Sequence, residues 1–235
     1  MFGGYFYYFD PTYILILIGV VLSLFASAKM KSTFAKYSKV RSYTGMTGAQ
    51  AAERLLQAEG IYDVRVEHIS GNLTDHYDPK GKVLRLSDTV YQSTSVAALG
   101  VAAHECGHAI QHKEGYAPLK IRGSMVPAVN IGAQISWPLI FVGIIFSSLD
   151  FLIQFGIILF SLTVLFQLVT LPVEFNASRR ALAALERNHI LQEVEIKSTR
   201  KVLTAAALTY VAAAAASILQ LLRLLILFGG RRDDD

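Results

Sequence analysis

Charge is what this sequence has least of. Only 17% of its 235 residues are Asp, Glu, Lys or Arg, while 53% are hydrophobic. An average soluble protein carries roughly 25% charged residues. That argues against an ordinary soluble globular protein, and more strongly against a disordered chain. Cysteine occurs once, at Cys106, so a disulfide framework within the chain is excluded. The net charge is +4, too small an excess to indicate a nucleic-acid binder; its placement matters more than its size. Internal repeats and low-complexity linkers are absent.

Four long stretches carry no charge at all: residues 11–28, 123–149, 151–173 and 202–222. A helix needs about 20 apolar residues to cross the hydrocarbon core. The first and third runs are rich in Leu, Ile, Val and Phe and read as spans. The second is convincing over 131–147, where Trp137 suits an interface. The fourth is the weakest, because 205–216 is mostly alanine and Arg223 interrupts the apolar continuation. Its alternative is a buried helix packed on the others. No Lys or Arg precedes the first run, so the basic leader of a cleaved signal peptide is missing and the run reads as an anchor.

Positive charge sets the expected orientation. Thirteen Lys and Arg lie in 29–122, six in 174–201 and three from Arg223 onward. Both of the first two segments are therefore expected in the cytoplasm, with the N-terminus outside and a tight external turn at 147–150. This puts two polar segments, distant in sequence, on one side of the bilayer. The tail at 231–235 reads as a solvated end.

Within the first segment, Thr47 to Gln50 fits a capping box before a helical run at 51–56, stopped at Gly60. Val64, Val66 and His68 alternate with charged residues as a half-buried strand does. Residues 73–77 and 82–86 flank Asp78-Pro79-Lys80-Gly81, a hairpin signal. Ser93, Thr94 and Ser95 offer N-caps for an alanine-rich helix running to about Lys113 and ended by Gly115.

That helix contains His104-Glu105-Cys106-Gly107-His108, an H-E-x-x-H pattern. Its chance occurrence in this composition is roughly 0.006. Residues four apart on a helix lie about 40° apart, so both imidazoles face one metal ion. Two His and a carboxylate suit zinc and leave a fourth position for water. Glu105 is rotated off the ligand face and reaches that water as a base. Glu174, the first residue after the third uncharged run, falls on the same membrane side and is the leading third ligand. Glu114, Asp150 and His112 are weaker rivals. Cys106 is about 200° from His104 and reads as a small packed residue, and Gly107 as a place of close approach by another backbone. His68, His76, His189, Arg179 and Arg180 are left as candidates for oxyanion stabilisation.

H-E-x-G-H, a hydrophobic hairpin and then E-[FY]-x-A-[DS] resembles membrane zinc metallopeptidases of the HtpX and CAAX prenyl endopeptidase type. Tyr77-Asp78-Pro79, Leu86-Ser87-Asp88, Val90-Tyr91 and the stretch from Ala102 to Ala109 with Gln111 are closer still to YugP-type membrane proteases of bacteria. The resemblance covers nearly the whole chain. It implies His104 and His108 as ligands, Glu105 as base and Glu174 as third ligand. It also implies zinc as cofactor and a peptidase class, but not a substrate; the spans would set the site beside peptide or membrane-protein substrates, with membrane-protein quality control as an expected role. One departure stands out: Ser178 occupies the place of the pattern's aspartate, which weakens or moves a contact that orients a ligating histidine.

The expected fold is mainly α. It is a polytopic membrane protein with about four transmembrane helices and a small α+β zincin-like cytoplasmic domain carrying the motif helix. The expected divisions are an anchor at 1–28, the metallopeptidase segment at 29–122 and a transmembrane hairpin at 123–173. A cytoplasmic helical segment with Glu174 follows at 174–201, then a C-terminal membrane helix and tail at 202–235. The expected setting is a bacterial plasma membrane, with the site on the cytoplasmic side and the bilayer and a peptide, not nucleic acid, as partners. The alternatives are a site-2-type intramembrane protease, whose motif helix is itself a span, and a non-catalytic zinc-binding scaffold.

Overall fold

The structure is a computed structural model, and it describes residues 10–229. The tail expected to be solvated, 231–235, lies outside the described residues. The chain is mainly helical. Its elements are α1 (Tyr13–Tyr37), α2 (Gly48–Ala58), β1 (Arg65–Ile69), β2 (His76–Asp78), β3 (Val83–Ser87), α3 (Val96–Lys113), α4 (Ala117–Ile145), α5 (Phe151–Arg187) and α6 (Glu193–Phe228). A short 3-10 turn, Ser147–Leu149, joins α4 to α5.

Local chemistry sets the element ends. The Thr47 hydroxyl accepts from Gln50 N and the Gln50 side chain accepts from Thr47 N, closing the capping box of α2. The chain leaves α2 through Gly60 at φ +66°, where any side chain is strained. Ser95 caps α3 by accepting from Ala98 N at 3.2 Å. In the hairpin turn the Asp78 carboxylate accepts from Lys80 N and Gly81 N.

The three strands form one sheet in the order β1-β3-β2. β2 and β3 are the expected antiparallel hairpin, with Tyr77 opposite Leu84. β1 joins the other side of β3 in parallel, with Val66 opposite Leu84. Central β3 is buried on both faces. With α2, α3, the later half of α5 and the start of α6 it forms the main core, around Leu55, Leu84, Leu86, Leu99 and Leu185.

α1, α4, α5 and α6 are long and apolar enough to cross a membrane. Only 11% of the apolar window of α1 is buried, and most of each of the other three windows also faces away from the protein. Exposed apolar surface of this extent suits a hydrocarbon surrounding. α6, the weakest expectation, is among the four. The motif helix α3 is not. α1 packs along α6, α4 along α5, and α5 on α6. Arg223 of α6 bonds Asp10 at 3.2 Å, which ties the start of α1 to the end of α6 and makes the two antiparallel. α5 runs through Pro172 and past Val173 without a break. One helix therefore carries both a long apolar stretch, mostly unburied, and Glu174.

Candidate metal centre

The centre is built where α3 crosses α5. Their approach depends on Gly107: a Cβ there would stand 2.5 Å from the carbonyl oxygen of Ala177. Absence of that carbon brings the two backbones into contact. It sets His104 and His108, one turn apart on α3, against Glu174 and Ser178, one turn apart on α5.

His104 Nε2 lies 3.2 Å from Glu174 Oε2, and His108 Nε2 lies 3.5 Å from the same oxygen. Two ligands of a tetrahedral zinc are expected about 3.4 Å apart, given metal–ligand bonds near 2.1 Å. Among the described residues this trio is the one group of three His, Cys, Asp or Glu able to share a metal, its donor atoms all within 4.8 Å of one another. Glu174 is almost fully buried, and His108 nearly so.

The other faces of these side chains are committed in ways that aim the donors. The Gln111 amide donates to Val173 O at 2.8 Å and to Asn176 Oδ1 at 2.9 Å. Its carbonyl oxygen therefore points back to His108 Nδ1, at 3.0 Å, and accepts the proton carried there. His108 Nε2 then faces Glu174 at 3.5 Å: the charged ring donates there, and the neutral ring offers its lone pair to a cation. His104 Nδ1 sits 3.0 Å from Ser178 Oγ, a hydrogen bond that orients that ring. The contact expected from an aspartate thus persists through a hydroxyl, without the charge. Arg122 of α4 holds Glu174 Oε1 at 3.2 Å, leaving Oε2 to the imidazoles.

Burial opposes a charged His108, but its hydrogen bond to Glu174 and the charge of Glu105 raise its pKa above the ordinary value. A pocket that draws a proton this way also draws a divalent cation. Two imidazole nitrogens and one carboxylate oxygen fit zinc.

Glu105 is buried beside the trio, and its carboxylate has no hydrogen-bond partner among the described residues. Tyr210 of α6 also lies beside the centre, near Glu174, Glu105 and Arg122.

The rivals are engaged elsewhere. Glu114 pairs with Arg180 at 2.7 Å. His112 Nδ1 is bonded to the Tyr77 hydroxyl at 2.8 Å. Asp150 follows the turn between α4 and α5. Cys106 is fully buried, points to Ala52 O, and burial pushes its thiol up. Of the residues considered for an oxyanion, His68 pairs with Asp88, His76 donates to Thr74 O, and Arg180 bonds Asn176 and Glu114. His189 lies in the turn after α5 at φ +51°. Sequence reasoning missed Arg122, Tyr210 and the part played by Gln111. Gln111 was within reach, since it follows His108 by three residues on the same helix face. Arg122 and Tyr210 carry no local signal.

The family described as "Putative neutral zinc metallopeptidase" matches residues 12–229. "Putative membrane protease YugP" of Bacillus subtilis (strain 168) is 50% identical over 199 residues, covering 84% of this chain and 88% of that protein. No solved structure matches.

Proposed function

The chain belongs to the neutral zinc metallopeptidase family, and from that premise we propose a membrane-embedded endopeptidase that cuts peptide bonds at the cytoplasmic membrane face. His104, His108 and Glu174 are its metal ligands and Glu105 its general base. When bound, zinc supplies Lewis-acid polarisation of the scissile carbonyl and a water acidified toward a pKa of about 7. The carboxylate of Glu105 accepts the proton of the attacking water and passes it to the departing amine. Arg122 and Gln111 hold Glu174 and His108 in place from outside the trio. The Tyr210 hydroxyl donates to the carbonyl oxygen as that oxygen gains charge. β2 has a free edge, because β3 covers its other side. An extended peptide pairs along that edge through main-chain hydrogen bonds, largely independent of its sequence.

In this reading residues 29–122 and 174–201 form the cytoplasmic catalytic part. Residues 1–28, 123–173 and 202–235 form its membrane part. Bacterial plasma-membrane quality control is the role proposed for the activity. The observation that carries the reading is the convergence of three donors beside Glu105, a buried residue whose carboxylate has no hydrogen-bond partner among the described residues. The test is purified full-length protein in lipid, wild type beside Glu105→Gln and Glu174→Ala. Elemental analysis measures zinc, and mass spectrometry reads cleavage of a mixture of unstructured peptides. Glu105→Gln is expected to keep about one zinc per chain and lose roughly 10²–10⁴ in rate. Glu174→Ala is expected to lose zinc. Normal cleavage by Glu105→Gln would remove it as the base, and full zinc retention in Glu174→Ala would move the third ligand elsewhere.

A further inference from the structure

α1 and α5 each pack on α6 but make at most glancing contact with one another. A groove of about 1150 Å³ is left between them, floored by α6. Its lining is graded along all three helices. On α6, Arg200 and Lys201 come first, and Leu208 and Val211 lie deeper in the apolar run. On α5, Phe175 precedes Arg179. On α1, Lys29 and Lys36 follow the apolar stretch. Five cations thus gather at one end of the spans, against a single carboxylate, Glu186. Among the described residues, Lys29, Arg179, Arg200 and Lys201 form no ion pair, and Lys36 lies only over the Tyr37 ring.

We propose that this groove binds an anionic phospholipid, its phosphodiester headgroup on the cations and an acyl chain along Phe175, Leu208 and Val211. The grading matches such a molecule end to end. The cations stand where spanning helices leave the apolar zone, where each Lys or Arg adds to the attraction for acidic lipid. A peptide fits less well. The walls are helices whose backbone groups are already paired, so a peptide's own N–H and C=O groups would lie unmatched along the apolar floor. An acyl chain has no such groups. The groove also reaches the metal centre's edge, since Ser178 lines it and contacts His104.

The experiment places the full chain in nanodiscs of phosphatidylglycerol mixed with phosphatidylcholine, then extracts it in mild detergent. Retained lipid is measured by native mass spectrometry. Wild type is expected to retain phosphatidylglycerol in preference to phosphatidylcholine. Arg200→Gln with Lys201→Gln is expected to lower that preference about tenfold or more. A control of equal charge change on the sheet side, Arg65→Gln with Lys80→Gln, is expected to leave it intact. Melting temperature in lipid-free detergent shows whether the variants remain folded, and zinc content is read alongside. Absence of a preference in wild type would overturn the proposal. So would an equal loss in the control pair, full displacement by inorganic phosphate alone, or an acidic peptide held more tightly than the lipid. None of these readouts depends on protease activity.

Discussion

α1 and α3 are both helices almost without charge where it counts, yet they end in opposite surroundings. α3 is rich in Ala and Gly with a few larger residues, and most of it is buried by protein. α1 is built from Leu, Ile, Val and Phe, and most of it is exposed, Leu24 to 65%. Side-chain size separates them. Small residues let α2, the sheet, α5 and α6 close on α3, while large ones on α1 leave an exposed apolar surface of the kind hydrocarbon suits. Hydropathy separates the two in the same sense, since α1 is apolar enough to cross a membrane and α3 is not.

The widest gap between the two helices should appear in stability. Leu99, fully buried on α3, is expected to cost about 2–5 kcal/mol when changed to alanine. Leu24→Ala on α1 is expected to change stability by no more than about 0.5 kcal/mol. Thermal unfolding in one detergent compares them, and equal losses would break the contrast. Next comes Gly107→Ala, which sets a methyl against Ala177 O and is expected to destabilise by about 1–3 kcal/mol. It should also weaken zinc binding, because α3 and α5 must part. A melting temperature and zinc affinity equal to wild type would show that the approach is not needed.

Smaller again is Gln111→Ala. It leaves His108 free to turn and is expected to lower zinc affinity about 10–100-fold, read by competition with a chelating dye. Unchanged affinity would mean that packing alone holds the ring. Least of all is Ser178→Ala, with a loss of about tenfold or less. Ser178→Asp, which restores a charged acceptor to His104 Nδ1, is expected to tighten zinc instead. Weaker zinc in the aspartate variant would show that the present hydroxyl contact is the better one.

Much of this arrangement is written in short-range pattern. The capping box at Thr47 and Gln50, the Asp78 turn, the Ser95 cap and the two histidines one turn apart all depend on residues within four positions of each other. They can be read from spacing. The four apolar helices are legible for a similar reason, since crossing hydrocarbon needs length and composition rather than partners. Glu174 was reachable through a longer step, because charge placement implied that both polar segments share one side.

What only the tertiary structure decided lies across longer distances. The parallel pairing of β1 with β3 leaves no mark that a strand's own alternation reveals. Arg122 reaches Glu174 from another helix, and Tyr210 sits in an alanine run that reads as a weak span or a buried helix with no site in it. The groove's five cations come from three helices and mean nothing together until α6 brings α1 and α5 side by side. The physical reason is common to all three. Periodicity records which face of an element is buried, but not which other element covers it. That choice is made by shape and charge when distant segments pack.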